Sequence, residues 1–159
     1  MASRICCGQF LLEKTLRSGQ FFTWFQDGDW FVIVHRDEIW RVRQEGQKLV
    51  CVRGDVERLS YFLGLDGWQQ TRWRQLREDL PQPIFEAGQG ITILRQDLWQ
   101  CLVTFLCSAA APMTKITQNL WSLSYRFGES YEIGGHVIPD FPKPGVLDDE
   151  SALREAKTG

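Results

Sequence analysis

The stretch FFTWFQDGDWFVIV, residues 21–34, decides how the fold begins. Aromatic and β-branched residues fill Phe21–Phe25 and Trp30–Val34, and such runs are typical of β-strands. Asp27 and Gly28 stand between the two runs, and glycine supplies the positive φ that a tight hairpin turn needs. The sequence therefore predicts a β-hairpin at this position.

Similar signals lie on both sides of this hairpin. Ile39–Val42 and Leu49–Val52 predict a second hairpin, because the turn residues QEGQ at 44–47 separate them. Phe10–Leu12 adds an earlier predicted strand. The connections are too short for parallel crossovers, so the sequence predicts an antiparallel sheet of about five strands.

Helices are predicted after the sheet. Asp55 has the residue type of a helix N-cap, and Gly64 can end the short helix that follows it. Residues 68–80 predict another helix, in which arginines alternate with tryptophans as they do in a phosphate-binding face. Because Glu78 and Asp79 follow at once, we favour a solvated helix surface for this segment.

A longer apolar helix is predicted next. Asp97 and Gln100 have the spacing of a capping box, and residues 98–112 are apolar on nearly every side, which predicts a buried core helix. This run is shorter than the about 20 residues that span a bilayer. Pro112 suits the first turn of the following helix, and Gly128 provides its C-terminal stop.

The C-terminal part of the chain contains many glycines and prolines. Residues 129–145 predict a surface loop, and Asp148 favours the start of a final helix through residues 152–156. Two or three helices would then lack partners for their apolar faces, which predicts that the natural polypeptide continues beyond Gly159. We expect an α+β fold with an N-terminal sheet domain at 1–90 and the beginning of a helical domain at 91–159.

Composition narrows the class of protein. Hydrophobic residues make up 43% of the 159 residues, with seven Trp and ten Phe, which is enough apolar surface for a core without metal or disulfide staples. The formal net charge is −2, so this segment alone should bind DNA weakly. The N-terminus has no signal-peptide pattern, which makes the cytoplasm the expected location.

Cysteine usage gives no sign of a metal site. The five cysteines form no C-x-x-C pair, and the two histidines are distant from them in sequence, so we expect neither a zinc site nor any cofactor. Cys101 and Cys107 lie on the apolar helix and are expected to be small buried hydrophobes.

Three stretches of the chain together resemble the 8-oxoguanine DNA glycosylase family of the helix-hairpin-helix superfamily. They are LRSGQFFTW at 16–24, the residues LRQD and FLCS within 94–108, and the segment from Lys115 to Gly128. The resemblance implies an antiparallel sheet of the TATA-binding-protein type beside a helical domain. The family's hairpin lysine and later aspartate come after the present segment, so no catalytic residue is assigned here, and Lys157 lacks the required hairpin.

The resemblance also implies a lesion-binding site. In the family, the carbonyl of the glycine matching Gly19 accepts a hydrogen bond from N7–H of 8-oxoguanine, and a residue matching Phe105 lines the pocket. It further implies DNA contacts from Lys115, which replaces an arginine, and from Gln20. Residues 109–111 are all alanine where the family has Ser and Asn, so a strict preference for cytosine opposite the lesion is in doubt. Without the resemblance, Ser18 and Gly19 are typical of a turn before a strand.

These features predict a function and leave two alternatives. We expect the N-terminal part of a glycosylase that excises oxidised purines, with double-stranded DNA containing a damaged base as its partner. We expect a monomer without membrane contact, associated with the nucleoid in a prokaryote or nuclear in a eukaryote. The alternatives are an alkylbase glycosylase of the same superfamily and a non-catalytic module that binds DNA or protein.

Overall fold

The computed structural model describes residues 2–67, 75–109, 111–148, 151 and 153. An antiparallel sheet comes first and several helices follow, so the predicted α+β class is confirmed. In chain order the elements are β1 (Ser3–Cys6), α1 (Leu12–Leu16), β2 (Trp24–Asp27), β3 (Trp30–His35), β4 (Glu38–Glu45), β5 (Lys48–Arg53), α2 (Val56–Phe62), α3 (Gln82–Gly88), α4 (Leu98–Ser108), α5 (Met113–Phe127), β6 (Ser130–Ile133) and β7 (His136–Pro139).

The larger sheet has five strands in the order β1-β5-β4-β3-β2. Both predicted hairpins form, and Gly28 and Gly46 adopt φ values of 57° and 60° in their turns. The prediction of a strand at Phe10–Leu12 is wrong, because the first strand is β1, which pairs with β5, and Leu12 instead begins α1. Burial of Leu12 and Leu16 at helical spacing explains the difference, since so short a segment also resembles a strand.

The helix α2 has both predicted ends. The Asp55 side chain accepts hydrogen bonds from two backbone N–H groups of the first turn, at 2.8 and 3.1 Å. At the other end, Gly64 has φ 67° and its N–H donates to Tyr61 O at 3.0 Å, while Leu65 N–H donates to Ser60 O at 3.0 Å. This pair of bonds is a Schellman motif, which explains why glycine follows the helix.

Aromatic packing joins α2 to the sheet. The Phe62 ring stacks on Trp40 with centroids 5.3 Å apart and meets the edge of Phe21 at 5.2 Å. Trp40 Nε1 donates to Asp55 O at 2.8 Å, so the buried indole keeps a hydrogen-bond partner. Of the helix predicted over residues 68–80, residues 75–79 are helical with Arg77 exposed, and the remainder lies outside the described residues.

The chain divides into two compact units. The first comprises Met1–Phe21, Gln26–Val32 and Trp40–Arg95, and the second comprises Phe22–Phe25, Ile33–Ile39 and Gln96–Gly159. The sequence-based boundary after residue 90 stays a prediction. Over the described residues, no helix is both long and apolar enough to cross a membrane.

The second unit contains a hairpin where a loop was predicted. β6 and β7 pair antiparallel across Gly134 and Gly135, whose φ values are 60° and 82°. Two consecutive positive φ values define the turn of a two-residue hairpin, so the glycine pair was a hairpin signal that we interpreted as a loop. Of the predicted final helix, Ser151 and Leu153 are helical and the rest lies outside the described residues.

Asp140 follows this hairpin and is buried, with 2% of its surface exposed. Its Oδ1 accepts a hydrogen bond from Glu129 N–H at 2.7 Å, while no described residue hydrogen-bonds its buried Oδ2. Burial raises the pKa of this carboxyl group, and the nearby Glu129 and Asp37 carboxylates raise it further, against the opposing effects of the Glu129 N–H and of Lys143. The folded chain therefore holds the Asp140 proton more tightly than the unfolded chain does.

Replacing Asp140 by asparagine should change the free energy of unfolding in a pH-dependent way. The change should be more favourable at about pH 7, where Asp140 is charged, than at about pH 4. A carboxyl with a raised folded pKa contributes stability below its unfolded pKa, and this contribution is lost as the pH rises through the folded value. Asparagine carries no charge and can still accept from Glu129 N–H. Urea unfolding of both proteins at the two pH values measures the difference, and a change that is the same at both would contradict the prediction.

Candidate functional site

The first candidate element is the turn at Gly19, which follows α1 in the first unit. Ser18 N–H and Ser18 Oγ both donate to Thr15 O, at 3.2 and 2.7 Å, so the turn is tied to the last residues of the helix. Gly19 is half-buried and has φ 81°, in the region that residues with a Cβ rarely adopt. The position therefore calls for glycine on conformational grounds.

Gln20 fixes the other side of this turn. Its Nε2 donates to Ser18 Oγ and to Thr92 O, both at 2.9 Å, and its Oε1 accepts from Leu94 N–H at 3.1 Å. These bonds engage both hydrogens of the amide and one acceptor position. The predicted contact between Gln20 and DNA stays a prediction, and the structure gives the side chain an internal role that the sequence did not suggest.

The segment that receives Gln20 is itself anchored. Thr92 is 9% exposed, and its Oγ1 donates to Leu63 O at 2.7 Å at the end of α2. Two residues earlier, Gly90 O accepts from Leu11 N–H at 2.8 Å. A Cβ on Gly90 would lie 2.6 Å from Leu11 Cγ, so glycine permits this close approach. The segment that Gln20 bonds is therefore itself held by hydrogen bonds to other parts of the first unit.

The second candidate element is α4, in the second unit. Val103 belongs to an apolar core with Ile116 and Leu120 of α5, and Gln100 is also buried. Phe105, expected to line a pocket, is 73% exposed, and other apolar residues of the helix are exposed too: Leu98, Leu102 and Leu106. The prediction of a helix buried on every side is wrong, because the described residues cover only one side of it.

The cysteines of α4 share this exposure. Cys101 is exposed and Cys107 is half-buried, so the prediction that both are buried hydrophobes is wrong. They lie on the helix as predicted, but its apolar character alone did not determine which sides the chain covers. No group of His, Cys, Asp and Glu side chains suited to a metal ion occurs within the described ranges.

Gln100 makes a polar contact at the centre of the second unit. Its Nε2 donates to Thr23 Oγ1 at 2.7 Å and to Val34 O at 3.2 Å, and its Oε1 accepts from Arg36 N–H at 3.0 Å. The side chain is 1% exposed, so these groups have little access to water. A single amide within an apolar run was the sequence signal for this site, and we interpreted it as part of a helix cap.

The capping box at the start of α4 is half formed. Asp97 accepts from Gln100 N–H at 3.1 Å, as predicted, but Asp97 N–H donates to His35 Nε2 at 2.8 Å instead of to Gln100. Because His35 accepts the hydrogen bond from Asp97 N–H, the Gln100 side chain is not needed for the helix cap. It bonds Thr23, Val34 and Arg36 instead. His35 Nε2 accepts this hydrogen bond through its lone pair.

Replacing Gln100 by leucine should destabilise the protein by about 1 to 3 kcal/mol, because the buried Thr23 Oγ1 and Val34 O would lose a hydrogen-bond donor and Arg36 N–H would lose its acceptor. Leucine of similar size adds apolar surface but cannot accept or donate a hydrogen bond. Chemical denaturation measures the loss. The matched control is Gln118→Leu on the exposed side of α5, for which we expect little change. Equal stabilities of the two variants would contradict the assigned role of Gln100.

The remaining predicted site residues lie at the junction of α4 and α5. Ala109 and Ala111 flank the break between the two helices, and Ala110 lies outside the described residues. Pro112 is the N-cap of α5, one position before the predicted first turn. Lys115 is half-buried in the first turn of α5, where its N–H donates to Pro112 O at 2.9 Å. The predicted DNA contact of Lys115 stays a prediction.

This arrangement, a five-stranded antiparallel sheet followed by helices, is the fold of solved DNA glycosylases. MBOgg1 in complex with a low-affinity DNA ligand matches with a TM-score of 0.89 and 27% identity, over 99% of this chain and 58% of that one. The apo form of Clostridium acetobutylicum 8-oxoguanine glycosylase/lyase matches with a TM-score of 0.88 and 22% identity, over 99% of this chain and 59% of that one.

Residues 5–102 match the family described as 8-oxoguanine DNA glycosylase, N-terminal domain, and the chain belongs to this family. The matched range includes Gly19 and Gln20 but not Phe105 or Lys115. The 3-methyladenine DNA glycosylase from Archaeoglobus fulgidus has a similar fold, with a TM-score of 0.69 and 17% identity over 97% of this chain and 61% of that one. The chain spans about three-fifths of the length of these solved structures.

Proposed function

We propose that this chain forms the lesion-recognition part of a DNA glycosylase that excises oxidised purines such as 8-oxoguanine during base-excision repair. The observation that carries the proposal is the family match over residues 5–102, which contains the turn at Gly19. The Clostridium acetobutylicum enzyme was also solved with double-stranded DNA containing cytosine opposite 8-oxoguanine, and that structure matches this chain with a TM-score of 0.86 and 22% identity, over 100% of this chain and 60% of that one.

The proposed recognition depends on one hydrogen bond. Such an enzyme extrudes the damaged base from the duplex, and unstacking costs a few kcal/mol that contacts in the protein must offset. 8-Oxoguanine carries a hydrogen on N7 where guanine carries a lone pair. The Gly19 carbonyl would accept from the lesion and repel the normal base, a difference of about 1 to 3 kcal/mol for one mispaired buried contact.

Four residues of the second unit also have a proposed role in binding damaged DNA. The exposed Phe105 ring offers an apolar surface against which an extruded base could pack. Lys115 would supply a positive charge near the opposite strand, without the two-pronged geometry of arginine. The methyl side chains of Ala109 and Ala111 cannot hydrogen-bond the orphaned base, so we expect a relaxed preference for the base opposite the lesion.

The chemical step is assigned to no residue of this chain. In the proposed reaction an amine attacks C1′ of the damaged nucleotide, the glycosidic bond breaks, and the purine leaves while a Schiff base forms with the opened sugar. Recognition and catalysis would thus depend on different parts of the polypeptide. No bound cofactor takes part in this proposal.

The 159-residue chain alone should neither nick nor tightly bind a duplex containing 8-oxoguanine opposite cytosine. Its net charge of −2 gives little general attraction to phosphates, and no amine in it is assigned to the chemistry. Gel analysis of the labelled duplex tests this, with the complete gene product assayed in parallel. Strand nicking by the short chain would overturn the prediction.

The complete gene product should release 8-oxoguanine and become trapped on the duplex by borohydride, which reduces a Schiff base. A duplex containing 3-methyladenine is the second substrate, because the Archaeoglobus fulgidus enzyme shares the fold. Release of 3-methyladenine without release of 8-oxoguanine would favour an alkylbase glycosylase. Release of neither base would favour a non-catalytic module.

A further inference from the structure

The direction of the Gly19 carbonyl depends on a single peptide plane. The carbonyl of Gly19 and the N–H of Gln20 belong to the same planar unit, so they can only turn together. Glycine allows wide rotation on its side of this plane, because it has no Cβ to restrict it. A carbonyl meant to distinguish a hydrogen from a lone pair therefore needs a restraint from outside the glycine.

Gln20 supplies a restraint directly next to this plane. Its side chain connects two segments of the chain: it bonds Ser18 Oγ in the turn, and it bonds Thr92 O and Leu94 N–H on the segment before α4. The bonds to Thr92 and Leu94 join the Gln20 amide to two residues that are two positions apart, and together they resist rotation of the amide. The Cα of Gln20 is thereby fixed on one side of the peptide plane.

A second restraint acts before the glycine. Ser18 Oγ accepts from Gln20 Nε2 and donates to Thr15 O at 2.7 Å, so one hydroxyl connects the turn to both Gln20 and α1. Thr15 is fully buried, and its Oγ1 accepts from Thr92 N–H at 3.4 Å. Both neighbours of Gly19 are thus held by side chains that also hold each other.

We propose that Gln20 is the positioning residue that sets the direction of the Gly19 carbonyl, and so sets the discrimination between 8-oxoguanine and guanine. This inference rests on the proposed function. Hydrogen bonds weaken steeply when their angle departs from linearity, and the repulsion of the guanine lone pair depends on the same angle. Freeing the peptide plane would therefore weaken binding of the lesion and ease acceptance of guanine.

The matched pair of variants is Gln20→Leu and Gln44→Leu. Gln44 also makes three hydrogen bonds to two segments of the chain, with bonds of 2.8 Å from Leu12 N–H, 2.6 Å to Phe10 O and 2.9 Å to Gly46 O. Both residues are in the first unit, and none of these Gln44 bonds involves the turn at Gly19. The two variants should thus lose similar amounts of folding stability. Only Gln20→Leu removes the restraint on the Gly19 carbonyl.

The measurement is kcat/KM of the complete gene product for 8-oxoguanine and for guanine, each opposite cytosine. The ratio of the two values should fall about tenfold for Gln20→Leu, the effect of weakening one hydrogen bond, and stay unchanged for Gln44→Leu. Hydrogen exchange at Leu94 N–H reports the loss of its bond to Gln20 independently of activity. Gln20→Glu keeps an acceptor for Leu94 but loses both donors, and it should lower the ratio even if the leucine variant fails to fold.

The outcomes separate the two proposals. A wild-type protein that prefers 8-oxoguanine, together with unchanged ratios in Gln20→Leu or Gln20→Glu, would overturn the role of Gln20 and leave the proposed function intact. A wild-type protein with no preference for the lesion would remove the proposed function and this inference with it. A ratio that falls equally in Gln44→Leu would show a general loss of stability and also overturn the positioning role.

Discussion

Replacing Gly128 by alanine should destabilise the protein by more than about 3 kcal/mol, beyond the usual range for an overpacked site. A Cβ at this position would lie 2.3 Å from Asp140 O and 2.7 Å from Ser124 O, and both are backbone atoms that cannot turn away. Relief would require α5 and the segment after β7 to separate. That movement would strain the bonds between Glu129 and Asp140, which are 2.7 and 2.9 Å long.

The backbone conformation of Gly128 does not itself require glycine, because its φ of −84° and ψ of 159° suit any residue. Gly135→Ala is therefore an informative control. Its φ is 82° and no atom lies within 4 Å of the added Cβ, so we expect only the cost of a left-handed residue, about 1 to 2 kcal/mol. Thermal unfolding compares the two variants, and equal losses would show that the contact with Asp140 is unimportant.

Local signals in the sequence predicted much of the fold. Asp27 and Gly28 fixed a hairpin, Asp55 and Asp97 fixed the starts of two helices, and Gly64 fixed the end of α2. Each of these signals acts within a few residues, through a hydrogen bond to the nearest backbone groups or through a positive φ. Such effects can be predicted from the sequence because they do not depend on contacts with distant parts of the chain.

The failures occurred where distant parts of the chain decide the outcome. Leu12 belongs to a helix because its neighbours at helical spacing are buried, and three residues cannot reveal that spacing. The side of α4 that is covered depends on α5 and on Thr23 and Val34, which bond Gln100. The role of Gly128 likewise depends on Asp140, twelve positions later and after a hairpin that we interpreted as a loop.

The candidate site also contains one residue that local sequence predicted and one whose role depends on distant partners. Gly19 was found from the resemblance of residues 16–24 to a family, and its positive φ agrees with a turn that requires glycine. The function of Gln20 within the protein was not visible, because its partners Thr92 and Leu94 are more than seventy positions away. A glutamine after a Ser-Gly turn gives no local sign of such a bridge.

Replacing Gly19 by valine should lower kcat/KM of the complete gene product for 8-oxoguanine about tenfold to a hundredfold, which corresponds to about 1.4 to 2.7 kcal/mol. A β-branched residue is strained at a φ of 81°, so the turn must change its conformation. Any such change rotates the carbonyl proposed to face N7 of the extruded purine. Initial rates of excision of 8-oxoguanine opposite cytosine, measured at duplex concentrations below KM, give kcat/KM and therefore the loss.

Gly28→Val controls for the backbone strain. Gly28 has φ 57°, it lies in a turn of the same unit, and no atom lies within 4 Å of an added Cβ. Both variants should lose similar stability, about 1 to 2 kcal/mol for a left-handed residue and somewhat more for a β-branched one. Only Gly19→Val should lose excision at a temperature where both are folded. If the two retain equal turnover, the carbonyl of Gly19 does not contact the base, and the recognition of 8-oxoguanine must use another group.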